Sequence, residues 1–375
     1  KMKIVYLCQF SAGACGVWNR VYNIAKELAK KHEVYVLSSN ITKGTEEKAK
    51  PYEELDGIKI YRFPIYFRLG ENALFWHYEK KLKEIKPDII NAHVYRHPHA
   101  TTAPNIAKKI GAKCFLTTHA PFVEKELRST ILNIAVSLYD KFLGKKVLNS
   151  YNKILAISKW EVPFLLKLGC QKQKIIYSPN GFPNEYLKPK IKYSRRKQKT
   201  IIFLGRIAPV KNLELLLWVF KKLLDKKYNV KLKIIGPIEK GYELAFLSTI
   251  KKLKLNKKVE LPGPIYDLRK KIKVLQESDI FVLPSKREAS PLALIEAMAL
   301  GLLVVSSETW GGKEFIRDTK NGFLFSNKEE FLRKLEYCLK NPNKLKKIKQ
   351  EARKSVSKLS WEKLAKKEER LYTNP

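Results

Sequence analysis

Residues 280–306 read IFVLPSKREASPLALIEAMALGLLVVS. The run Ile280–Leu283 is short, apolar and stopped by Pro284, as a buried strand is. The stretch Pro291–Leu300 is too long and too Ala/Leu-rich for a strand and reads as a helix. Ser290 is a preferred N-cap, Pro291 suits the first helical position, and Gly301 suits the stop. Leu303–Ser306 then returns as a strand. A strand, a crossover helix and a second strand in close succession make a parallel βαβ unit, which predicts an α/β chain built on doubly wound sheets.

The helix of this unit starts just after a strand end. Its free N–H groups face the crevice where open α/β sheets bind ligands, which makes a site for a diphosphate. Glu288 precedes the helix, and Glu296 lies about 7.5 Å further along its axis than Pro291. One carboxylate can stand near a bound sugar and the other near ribose hydroxyls. Glu296 interrupts LALIEAMAL, where an unpaired buried carboxylate is costly, so a partner or a ligand is expected for it.

Working outward, the same pattern recurs. Upstream in the same half come strand Thr200–Leu204, helix Asn212–Lys227, strand Val230–Ile235, helix Tyr242–Leu253, strand Val259–Leu261 and helix Leu268–Gln276. The first half opens with strand Lys3–Gln9, the small-residue turn Ser11–Gly16 and helix Val17–Lys31, whose apolar residues follow helical spacing. Strands follow at Val34–Ser38, Ile58–Arg62, Ile89–His93, Lys113–Thr118, Lys153–Ile157 and Lys174–Tyr177. The polar run Lys188–Lys199 (KPKIKYSRRKQK) reads as a linker. The expected division is 1–187, linker 188–199, and 200–358, with an amphipathic helix in 361–375 packing back on the first domain. A chain of 375 residues suits two such domains of roughly 150–200 residues.

The 45% hydrophobic and 30% charged composition fits a folded soluble protein. No apolar run approaches the roughly 18 residues of a membrane span, and the basic-then-apolar start reads as a strand rather than a signal peptide. Cys8, Cys15, Cys114, Cys170 and Cys338 form no C-x-x-C, which fits a reducing, cytoplasmic compartment. The balance of 75 Lys+Arg against 36 Asp+Glu gives a net +39, a field that attracts polyanions. No helix-turn-helix, zinc or RNP-like motif points to a specific nucleic-acid partner. Lys/Arg-rich segments with aromatic residues, Tyr61–Trp76 and Phe122–Tyr151, suit peripheral association with an anionic inner membrane face, though core helices look similar.

Glu288 and Glu296, with seven residues between them and AMALG following, resemble the E-x7-E signature of glycosyltransferase family four. Phe203–Asn212 (FLGRIAPVKN) is similar to that family's Gly-Arg…Lys-Asn/Gly segment. Gly13–Gly16 resembles its glycine loop, with Cys15-Gly16 in place of tandem glycine; TTHAP around His119, the SPNGF turn, and Gly311–Ile316 match further segments. The resemblance implies a GT-B architecture, two Rossmann-like domains facing a central cleft. It implies retaining transfer of a hexosyl group from a UDP-sugar or GDP-mannose to an acceptor sugar, a lipid or a lipid-linked glycan. Glu288 and His119 become the catalytic candidates. Gly16, Arg206, Lys211, Ser290, Pro291, Leu292 and Glu296 become the nucleotide-sugar ligands. Arg206, Lys211 and the helix N-terminus supply the positive charge, so neither metal nor cofactor is called for, and His93, His97 and His99 are not read as ligands. The rival readings are a sugar-nucleotide epimerase or phosphorylase of the same fold and a polybasic nucleic-acid binder.

Overall fold

The computed structural model describes residues 1–13, 15–69, 73–122, 129–193, 196–341 and 344–374. Ala14 of the glycine loop, residues 70–72 and 123–128 of the two aromatic–basic segments, and residues 194–195 of the basic run lie outside the described residues. The chain forms two units: Lys1–Gly181 with Ser360–Pro375, and Phe182–Leu359.

The first unit begins β1 (Lys3–Leu7), α1 (Gly16–Ala29), β2 (Glu33–Ser39), β3 (Tyr52–Leu55), β4 (Ile58–Phe63), β5 (Ile65–Leu69), β6 (Ala73–Trp76) and α2 (Glu79–Ile85). It continues β7 (Ile89–His93), α3 (Pro98–Ile110), β8 (Lys113–Thr117), α4 (Thr130–Tyr139), a π-helical turn Asp140–Gly144 and α5 (Lys145–Ser150). β9 (Lys153–Ala156), α6 (Val162–Lys167) and β10 (Ile175–Tyr177) close it. The sheet order is β10-β9-β8-β7-β1-β2-β4-β3, parallel apart from the β3–β4 pair. Chain order reverses around β1, so the loops after β1 and β7 part there and leave a crevice. β3 and the separate β5–β6 hairpin are additions to the predicted strands. Tyr52–Leu55 is an exposed polar edge and carries no buried alternation to read.

The second unit runs β11 (Lys199–Leu204), α7 (Leu213–Asp225), β12 (Val230–Ile235), α8 (Glu243–Lys252), β13 (Val259–Glu260), α9 (Leu268–Gln276) and β14 (Ile280–Leu283). Then come α10 (Leu292–Ala299), β15 (Leu303–Ser307), α11 (Trp310–Phe315), β16 (Phe323–Phe325), α12 (Lys328–Lys340) and α13 (Lys346–Val356). Its sheet, β13-β12-β11-β14-β15-β16, is wholly parallel. Each strand from β11 to β15 feeds a covering helix, and the apolar runs fill one core.

The boundary differs from the expected one. Phe182 and Tyr186 are fully buried in the core of the second unit, so the break falls at Gly181/Phe182 rather than after Leu187. The described start of the run 188–199 is not a free linker. Arg353 donates to the carbonyls of Leu187 and Pro189, Lys349 donates to that of Lys192 at 2.6 Å, and Ile191 packs against Gly301. Polarity marked a surface strap of the second unit, not a hinge.

The last helix, α14 (Trp361–Thr373), lies against α1 in the first unit. Arg20 and Glu368, both about 1% exposed, meet at 2.5 Å. Arg20 also donates to the Pro179 carbonyl and the Ser178 hydroxyl, and the Tyr372 hydroxyl donates to Glu368 while accepting from Asn91. Burial of these charges is tolerated because most of their hydrogen-bonding capacity is met. Among the described residues, no helix is long and apolar enough to cross a membrane.

Candidate active site

In the second unit, chain order reverses between β11 and β14, so the loops after these strands separate at their carboxyl ends. Two facts make this turn region tight. Gly236, at the end of β12, lies so close to Gly205 that a Cβ there would sit 1.9 Å from the Gly205 carbonyl oxygen. The Lys286 amide donates to the Val210 carbonyl at 2.9 Å, tying the β14 loop to the β11 loop.

Across that tie, Lys211 Nζ reaches Glu288 Oε1 at 2.6 Å, and the Ser285 hydroxyl donates to the same oxygen at 2.7 Å. Ser285 is in turn held from behind, its carbonyl accepting from the Ser307 hydroxyl at 2.5 Å. The Glu288 carbonyl accepts from the Gly311 amide at 2.8 Å, at the start of α11. Gly311 can only be glycine here, because a Cβ would lie 2.7 Å from Pro291 Cδ and 2.9 Å from the Glu288 carbonyl oxygen. The glycine of Gly311–Ile316 thus sets the path of the loop that carries Glu288 and opens α10.

α10 begins one residue later than expected. Pro291, with φ −74° and ψ 108°, is the N-cap, and no side chain caps the helix. Ser290 therefore does not play the capping role read from the sequence, because the extended Pro291 stands between it and the first turn. The N–H groups of Leu292 and its successors open the helix; the first turn of any α-helix leaves its amides without intrahelical partners.

Arg206, exposed at the end of β11, pairs with Glu239 from the loop after β12. Glu296 is buried at 5% exposure and meets Lys271 of α9 through both oxygens, 2.8 and 2.7 Å from Nζ. Tyr186 lies beside it. Burial, and then the Glu296 carboxylate, push that phenol well above its ordinary range. The structure thus brings Lys211 and Glu288 together and gives Arg206 and Glu296 carboxylate or cation partners of their own. Lys271, Tyr186, Ser285 and Glu239 were not singled out by sequence; their nearness depends on packing between elements that no local pattern encodes.

In the first unit the carboxyl ends of β1, β7, β8 and β9 carry a second cluster. Val94, Arg96, His119 and Ala120 all have positive φ, between 49° and 75°. For β-branched Val94 this is costly, and such strain gathers where a site dictates the backbone. His119 Nε2 lies 2.8 Å from His93 Nδ1, and His99 Nε2 contacts the His93 carbonyl at 2.8 Å. Burial above all, with neighbouring cations, holds His93 and His119 well below the usual imidazole range; His97 is lowered to about 3 and His99 to about 4. All four are neutral at pH 7, so His119 is available as a hydrogen-bonding imidazole rather than a cation.

Behind this turn sits Glu161, fully buried, accepting from the Ser158 amide at 3.1 Å. Burial pushes its carboxyl up to about 7, against the pull of Thr118 and of the amides of Ser158, Ile157 and Ala120. It joins the ends of β8 and β9 at the residue after His119, and its lone position in SKWEVP carried no signal of burial. In the glycine loop, Gly13 is the sterically required residue: its φ is +83° and a Cβ would meet the Lys43 carbonyl oxygen at 2.2 Å. Gly16 is different. A Cβ there would meet nothing within 4 Å.

With this geometry in place, comparison with known proteins is informative. Residues 14–186 match the family model Glycosyltransferase Family 4, and residues 187–355 match Glycosyl transferases group 1. An uncharacterized glycosyltransferase of Methanocaldococcus jannaschii is 26% identical, over 95% of this chain and 94% of its own. The GPI3 subunit of a phosphatidylinositol N-acetylglucosaminyltransferase of Saccharomyces cerevisiae is 22% identical, over 84% of this chain and 69% of its own. Among solved structures, Anabaena HepE in complex with UDP and glucose superposes with a TM-score of 0.76 at 18% identity, covering 100% of both chains. That likeness is one of fold, the GT-B glycosyltransferase fold.

Proposed function

The chain belongs to the family four, group 1 glycosyltransferases, and on that premise we propose that it moves a hexosyl group from a nucleoside-diphosphate sugar to an acceptor with retention of configuration. The observation that carries the donor half is the Lys211–Glu288 pair beside the start of α10. A helix N-terminus favours a diphosphate, and Lys211 with Arg206 adds the positive charge that a leaving nucleoside diphosphate needs. In the structure these cations pair with Glu239 and Glu288. An incoming diphosphate exchanges one set of anionic partners for another, so Lys211 turns to phosphate and frees Glu288 for the sugar. Glu296, held by Lys271, takes the ribose hydroxyls.

The first unit supplies the acceptor side. His119, neutral at pH 7, hydrogen-bonds sugar hydroxyls, and Gly16 leaves room for close approach to the backbone. UDP-sugars and GDP-mannose are the donor candidates, and the UDP-glucose complex of HepE favours testing the first. The net charge of +39 and the phosphatidylinositol in the yeast relative's name support a lipid or lipid-linked acceptor at an anionic membrane face.

A thermal-shift screen of nucleotides and sugar nucleotides tests the donor reading, since a ligand that binds only the folded state raises its stability. Incubation with sugar nucleotides alone is the control. Accumulation of an epimerised sugar nucleotide without acceptor would overturn transfer in favour of epimerisation.

A further inference from the structure

Two segments of the first unit leave large apolar side chains in water. α4 has no buried residue at all, although it is composed largely of Ile, Leu, Val and Ala. Ile131 is 82% exposed and, in the following turn, Phe142 is 68% exposed. In the β5–β6 hairpin, Leu69 is 64% and Tyr66 59% exposed. Single exposed hydrophobics are ordinary; two facing clusters are not.

Between the clusters lies a cavity of about 510 Å³, walled by Leu74, Trp76, Leu132, Ala135, Val136 and Tyr139. Its polar groups are Glu79, Thr101, Thr102, Arg96, His77 and His99, with the phenols of Tyr66, Tyr78 and Tyr139. Arg96 is neutralised by a two-point pairing with Asp140, and His99 is a neutral imidazole. The cavity wall is thus mainly apolar, with Arg96 already paired to Asp140, which suits a hydrocarbon chain better than a sugar.

The charges that follow α4 say where such a chain comes from. Exposed Lys141, Lys145 and Lys146 follow α4 directly, with Lys141 Nζ 5.5 Å from the Phe142 ring centroid. α4 itself carries no charged residue. An apolar helix followed by lysines, opposite an aromatic hairpin, is the pattern of an element lying in the headgroup region of an anionic bilayer.

We propose that α4, the Asp140–Gly144 turn and the paired strands β5 and β6 form a membrane-docking face, and that the cavity between them receives the hydrocarbon chain of a lipid acceptor drawn from an anionic bilayer. This rests on the lipid-acceptor reading above and gives it a place in the fold. The exposed side chains enter the acyl region, the lysines contact lipid phosphates, and the acceptor stays partly in the membrane.

The test is flotation of the full chain with phosphatidylcholine vesicles, with and without phosphatidylglycerol. Wild-type protein floats with the anionic vesicles, and I131S/I134S/F142S lowers that binding at least tenfold. A second arm uses phosphatidylglycerol with brominated acyl chains. Quenching of Trp76, taken as the difference between wild type and Trp76→Phe, is lost when Ala135→Phe fills the cavity. UDP- or GDP-induced thermal shifts in the same variants report the donor site and their folding separately. Loss of nucleotide binding throughout, with flotation intact, defeats the transferase reading and leaves the docking face standing. Vesicle binding by the triple variant equal to wild type, quenching unaffected by Ala135→Phe, or self-association in place of vesicle binding would each overturn the proposal.

Discussion

Lys211 Nζ stands 2.6 Å from Glu288 Oε1 across the point where the strand order of the second unit reverses, one residue from the β11 loop and one from the β14 loop. The pair is largely shielded from solvent, its side chains 20% and 10% exposed, and shares its oxygen with the Ser285 hydroxyl. Two loops that part at a switch point are therefore joined by an ion pair in the place where a diphosphate is expected to bind, and a ligand can replace either member.

Lys211→Ala should lower the transfer rate by about 100-fold or more, the scale of removing one preorganised charge from a developing anion. Glu288 keeps its Ser285 bond and some access to water, so the melting temperature should change little. Steady-state transfer assays paired with thermal melts check both halves; full activity would remove Lys211 from the site.

Glu296→Ala should abolish transfer while leaving the protein folded. Lys271, the cation left behind, is partly exposed and can be hydrated, so the stability cost is held to about 1–3 kcal/mol. Glu296→Gln keeps the shape and a hydrogen-bond acceptor, and recovery of donor KM in that variant separates a ribose contact from packing alone.

Gly13→Ala and Gly16→Ala should behave oppositely. At Gly13 the new methyl collides with the Lys43 backbone in a left-handed conformation, costing about 1–3 kcal/mol. At Gly16 it meets open space, so stability holds or rises slightly. A fall in transfer by Gly16→Ala, with stability held, marks close approach of a substrate; unchanged kinetics would take Gly16 out of the site.

Glu368→Ala strands the buried Arg20 guanidinium and should cost about 3–5 kcal/mol. Hydrogen exchange is the sharper readout: amides of α14 and α1 should lose protection first, whereas uniform loss over the whole chain would contradict a local role for the Arg20–Glu368 pair.

Glu161 titrates in the folded protein at about 7, raised from the ordinary 4.5 by burial. The folded state then binds the proton more tightly than the unfolded one. Its contribution is fully present below about pH 4.5, is lost as pH rises toward 7 by up to about 3 kcal/mol, and levels off above. Denaturant titrations of wild type and Glu161→Gln between pH 5 and 8 should show a shallower pH slope in the variant. Parallel slopes would mean that Glu161 does not titrate in this range.

Much of the fold was legible because its strands are buried on both faces and read as continuous apolar runs. Ile280–Leu283 and Val230–Ile235 lie where the pattern places them. The helix after Glu288 was legible from its Ala/Leu content and from Gly301. Its cap was not, since Ser290 and Pro291 both suit a helix start and only the observed Pro291 backbone decides between them. Phe182 and Tyr186 look like any aromatic pair near a turn; only the packed core shows which unit they join. Arg20 and Glu368 sit on amphipathic helices as apparently ordinary charges, and their pairing spans most of the chain. The same limit hid Lys271 from Glu296. The membrane-like composition of Phe122–Tyr151 was visible, but whether its apolar residues faced a core or water needed the structure.

The central claim is a nucleoside-diphosphate site built around Lys211, Glu288 and the start of α10. Isothermal titration of the full chain with UDP and with GDP, with EDTA present, tests it most directly. The account predicts saturable binding of at least one nucleotide, weakened tenfold or more by Lys211→Ala; binding of neither, or equal affinity in the variant, would contradict it.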